Sequence, residues 1–127
     1  SDEVPSLIDE VPILALAATQ AHGTTRFAGV GELRVKESDR LEAVRSGLEA
    51  FGATVRAGED WLEVTGPSQL SGCRVSSQGD HRLAMTWIVA GLIAEGETLV
   101  EGADAVGVSY PAFVEHLQRL GAPVEWV

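Results

Sequence analysis

Seven residues, Arg34-Val35-Lys36-Glu37-Ser38-Asp39-Arg40, hold three cations, two acids and a hydroxyl, and an apolar helical pattern follows at once. Lys36 is the only lysine in the chain; the remaining permanent positive charge is carried on arginine. A lone lysine among carboxylates at a helix start suits a site that must hold an anion and move a proton. Asp80-His81-Arg82 opens a second apolar run, and Asp9 opens another. The free N–H groups and dipole at a helix start favour acids there and disfavour cations. Arg40, His81 and Arg82 in first turns therefore need a reason. An anion shared between the arginine fork and the helix start supplies one.

Each of these residues also has a plainer reading. Asp9 can be a cap and nothing more, and Glu37 and Asp39 can be solvated dipole partners. Arg40 can pair with Glu37 or Asp39 in a surface bridge of roughly 0–1 kcal/mol. His81 can be a structural histidine. His22 and His116 carry no supporting context, and Trp61, Trp87 and Trp126 read as core or strand residues. The coincidence of polar outliers at helix starts is what favours the functional reading.

The elements that must position them follow from periodicity and punctuation. Asp9, Glu10 and Pro12 open a helix whose run Ile13 to Ala18 is apolar almost all round, which predicts burial on every side, with Gly23 as terminator. Thr24 to Ala28 reads as a strand and Gly29 to Gly31 as a turn. Ser38 is the expected N-cap of the next helix, with Leu41, Val44, Leu48 and Phe51 at helical spacing and Gly52 at its end. Ala53–Arg56 and Trp61–Val64 form an expected hairpin around Gly58-Glu59-Asp60, followed by a loop at Gly66-Pro67-Ser68. Cys73–Ser76 is strand-like. Asp80 caps a buried helix to about Ala94, Gly96 stops it, and Thr98–Glu101 is a strand. Ser109 caps a last helix with Pro111 in its first turn, Gly121 ends it, and Pro123–Val127 is an expected strand.

Two stretches repeat this order. Ala-His-Gly-Thr-Thr at 21–25 answers Ala-Glu-Gly-Glu-Thr at 94–98, and Phe-Gly-Ala-Thr-Val at 51–55 answers Leu-Gly-Ala-Pro-Val at 120–124. The offset exceeds the roughly 20–50 residues of solenoid repeats. Two copies of one helix–strand–helix–strand module, about 1–66 and 67–127, in an α/β layer packing are the expectation.

The 127 residues are one domain's worth of chain, with 45% apolar content for a core. Nine basic residues against nineteen acidic ones give a net charge of −10, which disfavours nucleic acid and anionic membranes. Cys73 is alone and the three histidines are scattered, so neither a disulfide framework nor metal-ligand spacing is present. The longest apolar run, Leu83 to Ala94, is too short to span a bilayer. No signal-peptide pattern opens the chain, so a soluble, cytoplasmic protein is expected.

Arg34 to Leu41 resembles the RVKESDR signature of the 3-phosphoshikimate 1-carboxyvinyltransferase (EPSP synthase) family. Asp80-His81-Arg82-Leu83-Ala84-Met85 resembles that family's DHR-x-AM segment. Asp9-Glu10-Val11-Pro12 with Gly23-Thr24-Thr25 resembles a third segment, and Ser109-Tyr110-Pro111 and Leu120-Gly121-Ala122 are similar to its C-terminal end. The resemblance implies an inside-out α/β fold of β-α-β-α-β-β modules, helices buried together and sheets outside. It implies transfer of the enolpyruvyl group of phosphoenolpyruvate to the 5-hydroxyl of shikimate 3-phosphate, without metal or organic cofactor.

Carried over by resemblance, Asp9 accepts the proton of the 5-hydroxyl and contacts the shikimate ring. Glu37 is placed for proton transfer at the enolpyruvyl methylene, and Lys36 reaches both substrates. Arg40 and Arg82, with His81 beside them, grip phosphoenolpyruvate. Two positions depart from the pattern: Glu32 stands where some members direct an amide at the shikimate ring, and Val108 where some have a lysine for phosphoenolpyruvate. The family's chain is much longer, so the expectation is a C-terminal part carrying about half an active site, its N-terminal partner domain absent, folded but inactive alone. Two other readings are open. One is the related enolpyruvyl transferase acting on a UDP-amino sugar, and the other a non-catalytic anion-binding module of the same fold.

Overall fold

A computed structural model describes residues 10–30, 39–103 and 112–126. Asp9, Glu32, Lys36, Glu37 and Val108 lie outside the described residues, as do the expected caps Ser38 and Ser109.

The described chain forms four helices and five strands. In order they are α1 (Val11–Ala18), β1 (Gly23–Ala28), α2 (Arg40–Ala50), β2 (Thr54–Ala57), β3 (Trp61–Gly66), β4 (Arg74–Ser76), α3 (His81–Ile93), β5 (Leu99–Glu101) and α4 (Phe113–Arg119). Strands β1, β3 and β2 make an antiparallel sheet in that spatial order; β4 and β5 make a parallel pair. The expected hairpin forms with Val55 opposite Val64 and Arg56 opposite Glu63. Alternation explains its faces. Leu62 and Val64 of β3 are buried together with Val55 of β2. On the other face, Arg26 of β1 donates to Glu63 at 2.6 Å and lies 4.7 Å over the Trp61 ring, a polar surface suited to water.

Helix α3 lies against α1, α2 and β5, while α1 also meets β3, and α2 meets β2 and β4. Helices thus share the interior and the sheets lie outside, the α/β arrangement the resemblance implies. The centre is Trp87 of α3, fully buried and tilted at 37° against Phe51 with 5.9 Å between ring centroids. Its indole seats on Gly47 of α2, where an added Cβ would clash with the ring. Gly47→Ala gains about 1 kcal/mol of helix propensity, but overpacking a rigid core costs about 1–3 kcal/mol or more. A net lowering of stability in urea unfolding is the expected result; an unchanged midpoint would show that the indole can move aside.

Two helix ends show why the repeated Gly-Ala pairs recur. Ala53 N–H donates to Leu48 O at 3.0 Å and Gly52 N–H to Glu49 O at 2.9 Å, with Gly52 at φ 95°. Ala122 N–H donates to Leu117 O and Gly121 N–H to Gln118 O, both at 3.0 Å, with Gly121 at φ 91°. Both are Schellman caps, whose left-handed residue favours glycine.

Three expectations need correction. The cap of α2 is Asp39, one residue later than Ser38, because its carboxylate accepts from Glu42 N–H at 3.1 Å. Helix α1 buries Val11, Pro12, Ala15, Leu16 and Ala18 but exposes Ile13, Leu14 and Ala17, so it is covered on one side, not all round. Residues 123–126 form no strand. Pro123 has no N–H for a ladder, and Val124 O is taken by the Gln118 side chain at 2.6 Å.

Candidate functional site

The polar residues singled out above belong to helix starts, and the fold ties three of those starts together. Asp80 is the N-cap of α3, in extended conformation (φ −93°, ψ 116°). Its Oδ1 accepts from Arg82 N–H at 2.9 Å and from Leu83 N–H at 3.3 Å, satisfying two otherwise unpaired donors of the first turn. Its Oδ2 accepts from Arg40 Nε at 2.7 Å. Arg40 is the first residue of α2, 40 positions away in the chain. The pair is desolvated, with side chains 3% and 0% exposed.

Arg82, the second residue of α3, lies on the same rim. Its Nη1 donates to Glu10 Oε1 at 2.6 Å, joining α3 to the residue that precedes α1. Glu10 makes no side-chain cap for its own helix, so its carboxylate serves the neighbour. This pair is partly solvated, with side chains 34% and 47% exposed. His81, half-buried, stands between Asp80 and Arg82 as the first residue of α3.

The two ion pairs differ in what they permit. A solvent-screened pair such as Glu10–Arg82 contributes roughly 0–1 kcal/mol, so an incoming anion can compete for Arg82. Breaking a buried pair costs about 3–5 kcal/mol, so the Arg40–Asp80 bond stays in place. Arg40 thus offers a guanidinium whose plane is set in advance. The protein's own carboxylates offset the cations at these helix starts; a bound anion is not required to explain their placement.

Beneath the Glu10–Arg82 pair lies a cleft of about 270 Å³ between α1 and α3, closed at one side by Phe113. Its walls are Pro12, Ile13, Met85 and Val89, so it suits hydrocarbon better than phosphate. Cys73, half-buried, has its thiol pushed up from the ordinary value by desolvation, which keeps it protonated and a poor nucleophile at neutral pH. Among the described residues no group of three His, Cys, Asp or Glu side chains is placed to hold a metal ion, and no helix is long and apolar enough to cross a membrane.

Of the sequence-derived candidates, Arg40, His81 and Arg82 are brought to one rim, and Asp9, Glu32, Lys36 and Glu37 lie outside the described residues. The sequence does not single out two partners, Asp80 for Arg40 and Glu10 for Arg82; the links span 40 and 72 residues, and no local pattern marks them.

The same ordered segments decide the family. Residues 2–117 match EPSP synthase (3-phosphoshikimate 1-carboxyvinyltransferase). The chain belongs to the EPSP synthase family. The 3-phosphoshikimate 1-carboxyvinyltransferase of Bacillus thuringiensis (strain Al Hakam) is 50% identical over 119 residues, 94% of this chain and 28% of the relative. That of Roseiflexus sp. (strain RS-1) is 53% identical over 117 residues, 92% of this chain and 27% of the relative. An EPSP synthase structure from Acinetobacter baumannii matches with a TM-score of 0.87 at 38% identity, covering 93% of this chain and 28% of that one. The enolpyruvyl transferase NikO from Streptomyces tendae matches at 0.75 and 26% identity, covering 92% and 26%. The chain therefore spans a little over a quarter of the length of these EPSP synthase relatives.

Proposed function

We propose that this chain forms part of an enzyme that transfers the enolpyruvyl group of phosphoenolpyruvate to the 5-hydroxyl of shikimate 3-phosphate and releases phosphate, a step toward chorismate and the aromatic amino acids. The family match over residues 2–117 carries the reading. Adding an alcohol across an enol carbon needs a base for the hydroxyl proton and an acid for the methylene, and cations must offset a phosphate and a carboxylate. Asp9 is the base and Glu37 the acid. Asp9, Glu32 and Lys36 hold shikimate 3-phosphate; Lys36, Arg40, His81 and Arg82 hold phosphoenolpyruvate. The rim that joins Arg40 and Arg82 through Asp80 supports this division, since a substrate with two anionic groups needs two cations at a set spacing.

Two modules, about 1–66 and 67–127, form part of one domain, and the rest of the enzyme supplies the other wall of the cleft. That remainder also covers the outer face of α1, where Ile13 and Leu14 are 36% and 43% exposed. Without it, orientation and water exclusion are lost, and turnover with them.

The test is a chimera in which residues 1–127 replace the matching segment of the Bacillus thuringiensis relative. Phosphate release that requires both phosphoenolpyruvate and shikimate 3-phosphate is the expected result, with none from residues 1–127 alone. Transfer to a UDP-amino sugar instead points to the other enolpyruvyl transferase. Binding without transfer to either acceptor points to a non-catalytic anion module. Turnover by the 127 residues unaided would overturn the need for the remainder.

A further inference from the structure

We propose that Asp80 is a positioning residue that aims the Arg40 guanidinium and fixes its spacing from Arg82. The inference rests on Arg40 as an anion-binding group, and it gives the bridge between the two helix starts a measurable part in substrate binding.

The carboxylate of Asp80 is fully buried, and among the described residues its bonds run to two helix starts. Oδ1 is held by the Arg82 and Leu83 amides, so the carboxylate cannot turn without uncapping α3. Oδ2 is held by Arg40 Nε rather than by a terminal nitrogen. A bond at Nε fixes the guanidinium plane at its root, and the direction of the terminal nitrogens follows from it. Because the first oxygen binds the amide of Arg82 itself, one rigid group sets where both arginines begin. Neither helix start can shift against the other without stretching a bond in a site from which water is excluded. A substrate bearing a phosphate and a carboxylate is sensitive to that spacing, since a displacement of about 1 Å weakens a charge-assisted fork markedly.

Asp80→Asn separates aiming from capping. Asparagine caps a helix as well as aspartate does, and its oxygen keeps the Arg82 and Leu83 amides. Its NH2 group then faces Arg40 Nε, donor against donor. Asp80→Ser is the second variant, retaining a capping hydroxyl while removing the carboxylate and leaving room for water.

Both are made in the full-length chimera described above. The expected result is a KM for phosphoenolpyruvate raised by roughly 10–100-fold, by analogy with the loss of a partner that orients a metal-ligating side chain. The KM for shikimate 3-phosphate stays near the parent value. In an Arg40→Lys background the same substitution adds little, because the group it aims has been removed. Equal rises in both KM values overturn the proposal, as do losses that add fully in the Arg40→Lys background, or failure of both Asp80 variants to fold. An unmodified chimera with no transfer activity overturns the underlying functional reading first. An active one with kinetically silent Asp80 variants overturns the positioning role alone.

Discussion

Arg40→Met is expected to lower the unfolding free energy by about 3–5 kcal/mol, the range for breaking a buried ion pair from one side. Methionine fills most of the volume and keeps helix propensity, so packing is not the main loss. The loss arises because Asp80, 0% exposed, keeps its place as the α3 cap and cannot swing out to water. Its Oδ1 stays bound to two amides while Oδ2 loses the Arg40 Nε bond. The double variant Arg40→Met/Asp80→Ser removes both charges and leaves a capping hydroxyl, and is expected to recover part of the stability, because no buried charge is then left unpaired. Arg82→Met is the control. Its pair with Glu10 is partly exposed, so about 0–1 kcal/mol is expected there. Urea unfolding of the four proteins decides the matter. An Arg40→Met midpoint equal to the parent's, or a double variant weaker than the single, would sink the account.

This pair also shows what sequence could and could not convey. The Asp80 cap, the hairpin around Gly58-Glu59-Asp60 and the glycines closing α2 and α4 are local, each written in a few adjacent residues, and they form as expected. The link from Arg40 to Asp80 spans 40 residues, and periodicity assigns faces to helices without naming the residue opposite. The plainer reading of Arg40 looks only to its near neighbours Glu37 and Asp39, and Glu37 lies outside the described residues. Helix α1 shows the limit of periodicity directly. A run that is apolar all round says that every face favours burial, yet Ile13 and Leu14 are left 36% and 43% exposed. At the far end, alternating Val124 and Trp126 mimicked a strand. Pro123 and the Gln118 side chain dispose of the backbone there instead. The rim was legible as a set of helix starts; its wiring was not.

Trp87→Ala is the second large effect, expected to cost about 3–5 kcal/mol through lost burial and an unfilled cavity. Trp87 has no exposed surface and lies against Gly47 and Phe51, so α2 and α3 lose their common contact. One term works the other way. Trp87 Nε1 is buried with no hydrogen-bond partner among the described residues, and an unmet donor costs about 1–3 kcal/mol. Trp87→Phe removes that donor while keeping an aromatic ring on Phe51, so its loss is expected to be the smaller of the two. Gly47 then supplies a change of sign. Beside the indole, Gly47→Ala is destabilising, because the methyl meets the ring. In the Trp87→Ala background that obstruction is gone, and the same substitution is expected to stabilise by up to about 1 kcal/mol through helix propensity. A double-mutant cycle by urea unfolding reads this directly. If Gly47→Ala destabilises equally in both backgrounds, the glycine is required by the α2 backbone and not by the ring of α3.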